Sequence, residues 1–157
     1  MTAAIAIAIN RLGADDVAEL HELLSLFADA FDELDTDNAR RPTETYLQEL
    51  LSGETCIVLT ARRNERVIGG LVAYELPKPE QERSEIYIYD LAVAENCRRE
   101  GVATALIDKL KVIAKARRAW VIFVQADHGD DAAISLYTKL GVREDVLHFD
   151  IDVARGD

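Results

Sequence analysis

Residues 85–93 read EIYIYDLAV, an apolar, β-rich run interrupted by one carboxylate, Asp90. Tyrosine, isoleucine, leucine and valine in such close succession favour a central strand, buried on both faces. A short polar turn follows. Gly101 then opens a segment in which Val102, Leu106, Leu110 and Ile113 fall on one helical face. Buried strand, turn and amphipathic helix in direct succession point to an α/β architecture.

The rest of the chain fits that plan. Residues 3–12 alternate as a first strand, and Asp15 or Asp16 can cap a helix carrying Val17, Leu20, Leu24, Phe27, Phe31 and Leu34 on one face. DELDTDNARRP reads as a loop, Thr43 to Ser52 as a second helix, and Gly53 as its stop. TCIVLTARR and RVIGGLVAYEL read as a hairpin turning at Asn64 and Glu65. AWVIFVQA is a further buried strand, with Trp120 expected in the core. Asp130 to Leu140 is a fourth helix with Ala133, Leu136 and Leu140 as its stripe, stopped at Gly141. DVLHFDIDV closes the chain as a strand, apolar at Leu147, Phe149, Ile151 and Val153, polar at His148, Asp150 and Asp152. No repeat or linker divides the sequence, so residues 1–157 are expected to form a single domain on one mixed sheet.

Charge narrows the partners. Acidic residues outnumber basic ones 29 to 18, for a formal net charge of −11. That argues against nucleic acid, which needs a basic surface, and suits a cationic partner. No stretch approaches a membrane span. The N-terminal MTAAIAIAIN alternates and carries no basic residue, unlike a signal peptide. Cys56 and Cys97 lack metal-ligand spacing, and the chain reads as a reduced, cytoplasmic protein with no metal.

The chemistry concentrates in LAVAENCRREGVATAL. A strand-turn-helix of this kind aims free backbone N–H groups forward, glycine admits an anion close to the backbone, and Arg98 and Arg99 add donors. The parts make a phosphate site. It is neither a Walker loop nor a dinucleotide fingerprint, since the Gly-Lys-Ser/Thr and the further glycines are missing.

At Arg98, Gly101 and Ala103 the sequence resembles the GCN5-related N-acetyltransferase family, which carries Gln/Arg-x-x-Gly-x-Gly/Ala after its fourth strand. DDAAISLYTKLGV resembles that family's second motif at Ala133, Leu136, Tyr137 and Gly141, with Asp130 replacing the usual Asn and Val142 the usual Phe. LPKPEQERSEIYIYDLAV, VQADHGDDAAISLYTKLGVRE and HFDID are similar to the class I aminoglycoside 3-N-acetyltransferases.

The resemblance implies a mostly antiparallel sheet of six to seven strands flanked by four helices, and acetyl-CoA as acetyl donor. The pantetheine would bond to backbone at Leu91, Ala92 and Val93, and the pyrophosphate would sit at Arg98, Arg99, Glu100, Gly101, Val102, Ala103 and Thr104. Tyr137 would also touch the cofactor and serve as general acid, its phenol being protonated at neutral pH. Asp90 would be the base or the amine anchor, directly or through water. Glu85, Asp150 and Asp152 would add an acidic wall for the cationic acceptor. The implied activity is acetylation of the 3-amino group of the 2-deoxystreptamine ring of gentamicin-type aminoglycosides, by direct attack in a ternary complex, conferring resistance. An acetyltransferase for polyamines or another small amine, and a non-catalytic acyl-CoA-binding regulatory module, are the alternatives. A homodimer is left open.

Overall fold

Asn64 and Glu65 both adopt the left-handed conformation, with φ of 51° and 62°. Two successive left-handed residues give a turn whose twist matches its flanking strands, so the expected hairpin forms. The computed structural model describes residues 6–32 and 41–154. Its elements are β1 (Ala8–Arg11), α1 (Val17–Ala30), α2 (Glu44–Ser52), β2 (Cys56–Arg63), β3 (Arg66–Lys78), β4 (Arg83–Val93), α3 (Val102–Ala116), β5 (Ala119–Val124) and α4 (Asp131–Leu140). They fall into two compact units, one ending at Gln125 and the other beginning at Ala126.

In the first unit the strands lie in the order β1-β2-β3-β4-β5. The first four are antiparallel neighbours, while β5 runs parallel to β4 because α3 crosses over between them. Adjacent glycines on β3 fix the two faces. A Cβ on Gly70 would strike the Leu23 side chain of α1 and stand 2.7 Å from the Leu59 carbonyl. One on Gly69 would crowd Val102 of α3 at 3.2 Å and the Ala92 carbonyl at 3.0 Å. Helices α1 and α3 thus press on opposite faces at the same place. Leu20, Leu23 and Phe27 of α1 and Leu47 and Leu51 of α2 pack with Val58, Val72 and Ala92 on one side. The other side buries Leu59, Leu71, Ile86, Leu106 and Leu110 completely. Each such side chain contributes roughly 1.5–3 kcal/mol on burial.

Local signals explain the helix starts. Thr43 caps α2, its hydroxyl accepting from the Tyr46 N–H at 3.2 Å. Asp16 accepts from the Gly13 N–H at 2.7 Å, closing a turn ahead of α1.

Four expectations need correction. The buried stripe of α1 runs through Leu23, not Leu24, because Gly70 leaves room for Leu23; Phe31 is also exposed, and Leu34 lies outside the described residues. β1 begins only at Ala8, and residues 1–5 lie outside the described residues. Trp120 is 59% exposed rather than core. The β4–β5 register skips it, and the Arg83 guanidinium covers its ring at 3.9 Å. Finally, the sheet has five strands, not six or seven, among the described residues. In the second unit, residues 142–154 form no strand, where one was expected at DVLHFDIDV.

Candidate active site

The pairing of β3 with β4 breaks once. Val72 opposes Asp90, but Ala73 opposes Ile88, so Tyr89 is the extra residue of a β-bulge. Directly opposed residues share a face of the sheet. Without the bulge Asp90 would oppose Leu71, which is fully buried on the α3 side. With it, Asp90 shares the α1 side with Val72 and is only half-buried. The bulge spares a carboxylate the desolvation that a place under α3 would impose.

Pairing with β5 ends at the same point. Ser84 to Ile88 pair with β5, and none of the residues after Ile88 does. Leu91, Ala92 and Val93 pair with Leu71, Gly70 and Gly69 and have no described strand on their other edge.

Aromatic rings gather beside the bulge. Tyr87 stacks on Phe123 at 4.7 Å, and Tyr89 meets Tyr87 and Tyr74 edge-on at 5.6 and 6.1 Å. The Tyr87 hydroxyl donates to Gln125 Oε1 at 2.9 Å. Burial raises the phenol pKa of both Tyr74 and Tyr87, and the nearby Asp90 charge adds to each shift. Burial also raises the Cys56 thiol, against a hydrogen bond with Tyr74, so Cys56 is a protonated core thiol.

The turn after β4 is shaped by backbone. Glu95–Cys97 form a short 3-10 turn with Cys97 buried behind it. Arg99 and Gly101 both take positive φ, 64° and 82°. Gly101 begins α3, and a Cβ there would meet nothing within 4 Å. It is therefore the left-handed conformation that calls for glycine. No side chain caps α3, which leaves the amides of Val102, Ala103 and Thr104 facing forward, while the Ala105 N–H bonds back to Gly101. Arg98 folds back, its Nε donating to the Val93 carbonyl at 3.2 Å. Glu100 is held by Arg63 of the hairpin at 2.7 Å, so its carboxylate is turned to a structural partner. Arg98 also lines a groove of about 710 Å³ beside α1, with Glu22, Asp29, Asp32 and Arg66 among its walls.

Glu85 lies nearer the start of β4 and accepts from the Trp120 indole N–H at 3.1 Å. The turn from Arg98 to Thr104 follows the end of the strand that carries Asp90.

In the second unit, Asp130 caps α4 by accepting from the Ala133 N–H at 3.2 Å, a task Asp performs as well as Asn. Burial raises the Tyr137 phenol above its ordinary range, and the Asp130 charge adds to the shift. Asp150 and Asp152 are exposed, and His148 Nε2 lies 2.9 Å from Asp150 Oδ1.

Sequence reasoning missed the Tyr74–Tyr87–Tyr89 cluster and the Arg63 clamp. Tyr87 and Tyr89 were visible at alternate positions of the β4 run, whereas Tyr74 and Arg63 come from neighbouring strands and carried no local signal.

The acetyltransferase (GNAT) family pattern matches residues 19–142. An aminoglycoside acetyltransferase from an uncultured soil metagenomic sample is 51% identical and superposes with a TM-score of 0.92, over 96% of this chain and 100% of that one. A second enzyme of that name, also from an uncultured soil metagenomic sample and solved with sisomicin, is 30% identical with a TM-score of 0.87, over 94% and 97%. The ribosomal-protein-alanine N-acetyltransferase of Brucella melitensis is 25% identical with a TM-score of 0.74, over 94% and 99%. No curated protein sequence matches the chain.

Proposed function

Since the chain belongs to the acetyltransferase (GNAT) family, whose enzymes draw on acetyl-CoA, we propose that it acetylates the 3-amino group of the 2-deoxystreptamine ring of gentamicin-type aminoglycosides. It would act in the cytoplasm and confer resistance. The observation that carries this reading is the near-full-length likeness, at about half identity, to an aminoglycoside acetyltransferase.

The residues present fit the donor. Leu91, Ala92 and Val93 offer a backbone edge without a described strand on it, and the uncapped start of α3 offers amides to a pyrophosphate. Arg98 and Arg99 supply positive charge, and the backbone from Glu100 to Thr104 supplies the contour. Acetyl-CoA supplies an activated thioester acyl group.

Asp90 holds the acceptor amine and takes its proton, directly or through a water, as the nitrogen attacks the acetyl carbon. Tyr137 gives its phenolic proton to the departing sulfur, and burial keeps that phenol protonated at neutral pH. Attack is direct, in a ternary complex, and neither of the buried cysteines, Cys56 and Cys97, takes up the acetyl group. Glu85, Asp150 and Asp152 contribute negative potential toward a polycation.

Release of free thiol from acetyl-CoA, measured with gentamicin, kanamycin and spermidine, tests the reading. Gentamicin should turn over, and mass and NMR spectra of the product should put one acetyl on N3. Turnover of spermidine alone would replace the aminoglycoside by a polyamine. Tight acetyl-CoA binding without thiol release for any amine would make the protein a binding module.

A further inference from the structure

A glutamate is out of place in a turn that is to hold an anion. Residues 95–100 read ENCRRE, so two carboxylates cancel two guanidinium groups. Glu100 stands two positions ahead of Val102, the first residue of α3. A free carboxylate so close would repel a diphosphate, or take the forward-facing amides for itself.

Glu100 does neither, because Arg63 holds it. Arg63 ends β2, 37 residues away in sequence, and its Nη1 donates to Glu100 Oε2 at 2.7 Å. The guanidinium keeps this position at a cost, since its Nε is buried and has no acceptor among the described residues. The two side chains are 25% and 45% exposed, and pairs that open to solvent add little to folding stability. What the pair fixes is local.

The turn has little hold of its own. Glu100 lies between Arg99 and Gly101, both at positive φ, a conformation an arginine rarely adopts. Among the described residues, the amides of Arg99, Glu100 and Gly101 donate to no backbone carbonyl. Two side chains tether the turn. Arg98 bonds back to Val93, at the end of the strand the turn leaves, whereas Glu100 reaches a different strand.

We propose that Arg63 is a positioning residue for the acetyl donor: it draws the Glu100 charge away from the donor's phosphates and pins the turn to the β2–β3 hairpin. With Glu100 taken up, Arg98 and Arg99 leave the turn positive where the pyrophosphate is to sit. This rests on the placement of the pyrophosphate at Arg98–Thr104.

Titration calorimetry of the full chain with coenzyme A tests it. Arg63→Ala should raise Kd about tenfold or more with far-UV circular dichroism retained, and added salt should narrow that gap by screening the freed carboxylate. The double variant Arg63→Ala, Glu100→Gln should recover most of the lost affinity, which a pair that only stiffened the turn would not allow. If Arg63→Ala does not fold, Arg63→Gln takes its place in both measurements. An unchanged Kd for Arg63→Ala would overturn the proposal, and so would a double variant as weak as the single one. Gly101→Val separates the premise from the proposal. Its side chain meets open space, so its effect comes from the left-handed backbone alone. If Gly101→Val binds coenzyme A as the wild type does, the placement of the pyrophosphate fails, and the proposal with it. If Gly101→Val is weakened and Arg63→Ala is not, the placement stands and the role of Arg63 falls.

Discussion

Asp90 and Tyr137 are the residues on which the proposed reaction turns, and each has a separable signature. Asp90→Asn keeps the size of the side chain but removes charge and basicity. It should lower kcat/KM for the amine by roughly 10²-fold or more while leaving acetyl-CoA affinity unchanged. Wild-type-like kinetics with the amine would remove Asp90 from the chemistry. Tyr137→Phe should cut kcat by a similar factor with little change in the KM for acetyl-CoA. Tyr137 also bears on stability, because its folded pKa is raised above the ordinary value. The fold favours the protonated phenol, so this contribution is complete below the unfolded value of about 10 and is lost as pH rises through the folded one. Thermal melts should fall above about pH 10, and less steeply for Tyr137→Phe. Half-buried Tyr74 and Tyr87 act with the same sign.

Elements position these residues, and the bulge at Tyr89 does so most directly. Deleting Tyr89 leaves Ile88 and Asp90 on their present partners but straightens β4. Its pairing with β5 could then run past Ile88 and close the edge at Leu91–Val93. Acetyl-CoA affinity should drop about tenfold or more, ~1.4 kcal/mol, with far-UV circular dichroism retained. Titration calorimetry showing unchanged affinity would separate the bulge from donor binding. How much of this was legible in the sequence follows from range. The Asn64–Glu65 turn, the second helix stopping at Gly53 and the start of α3 at Gly101 depend on residues within a few positions of one another, and all were readable. The bulge was not, because IYIYD alternates equally well in either register and the choice is made by the cost of burying Asp90 beside Leu71. Nor was the stripe of α1, because Leu23 and Leu24 are equally apolar and a glycine on β3 selects between them. DVLHFDIDV has the right pattern for a strand, but a pattern does not say which edge receives it. Of the candidate site, the backbone turn and Asp90 were legible, while the aromatic surroundings were assembled from strands far apart in sequence.

At the scale of the whole molecule, a net charge of −11 stands against a small basic turn. Long-range attraction should therefore favour the cationic acceptor and not the anionic donor. Raising ionic strength from about 10 to about 150 mM shortens the screening length from roughly 30 to 8 Å. Steady-state assays should then show kcat/KM for the aminoglycoside falling several-fold, while the KM for acetyl-CoA stays level or improves. Parallel losses for both would rule out the separation of charge. The paired glycines of β3 have a mechanical consequence. Where Leu23 and Val102 close in on Gly70 and Gly69, the partition between the two layers of helices is one backbone thick. The first residue of α3 and the middle of α1 are seated on the same dipeptide. A push from one layer has no cushion of side chains to absorb it before it reaches the other.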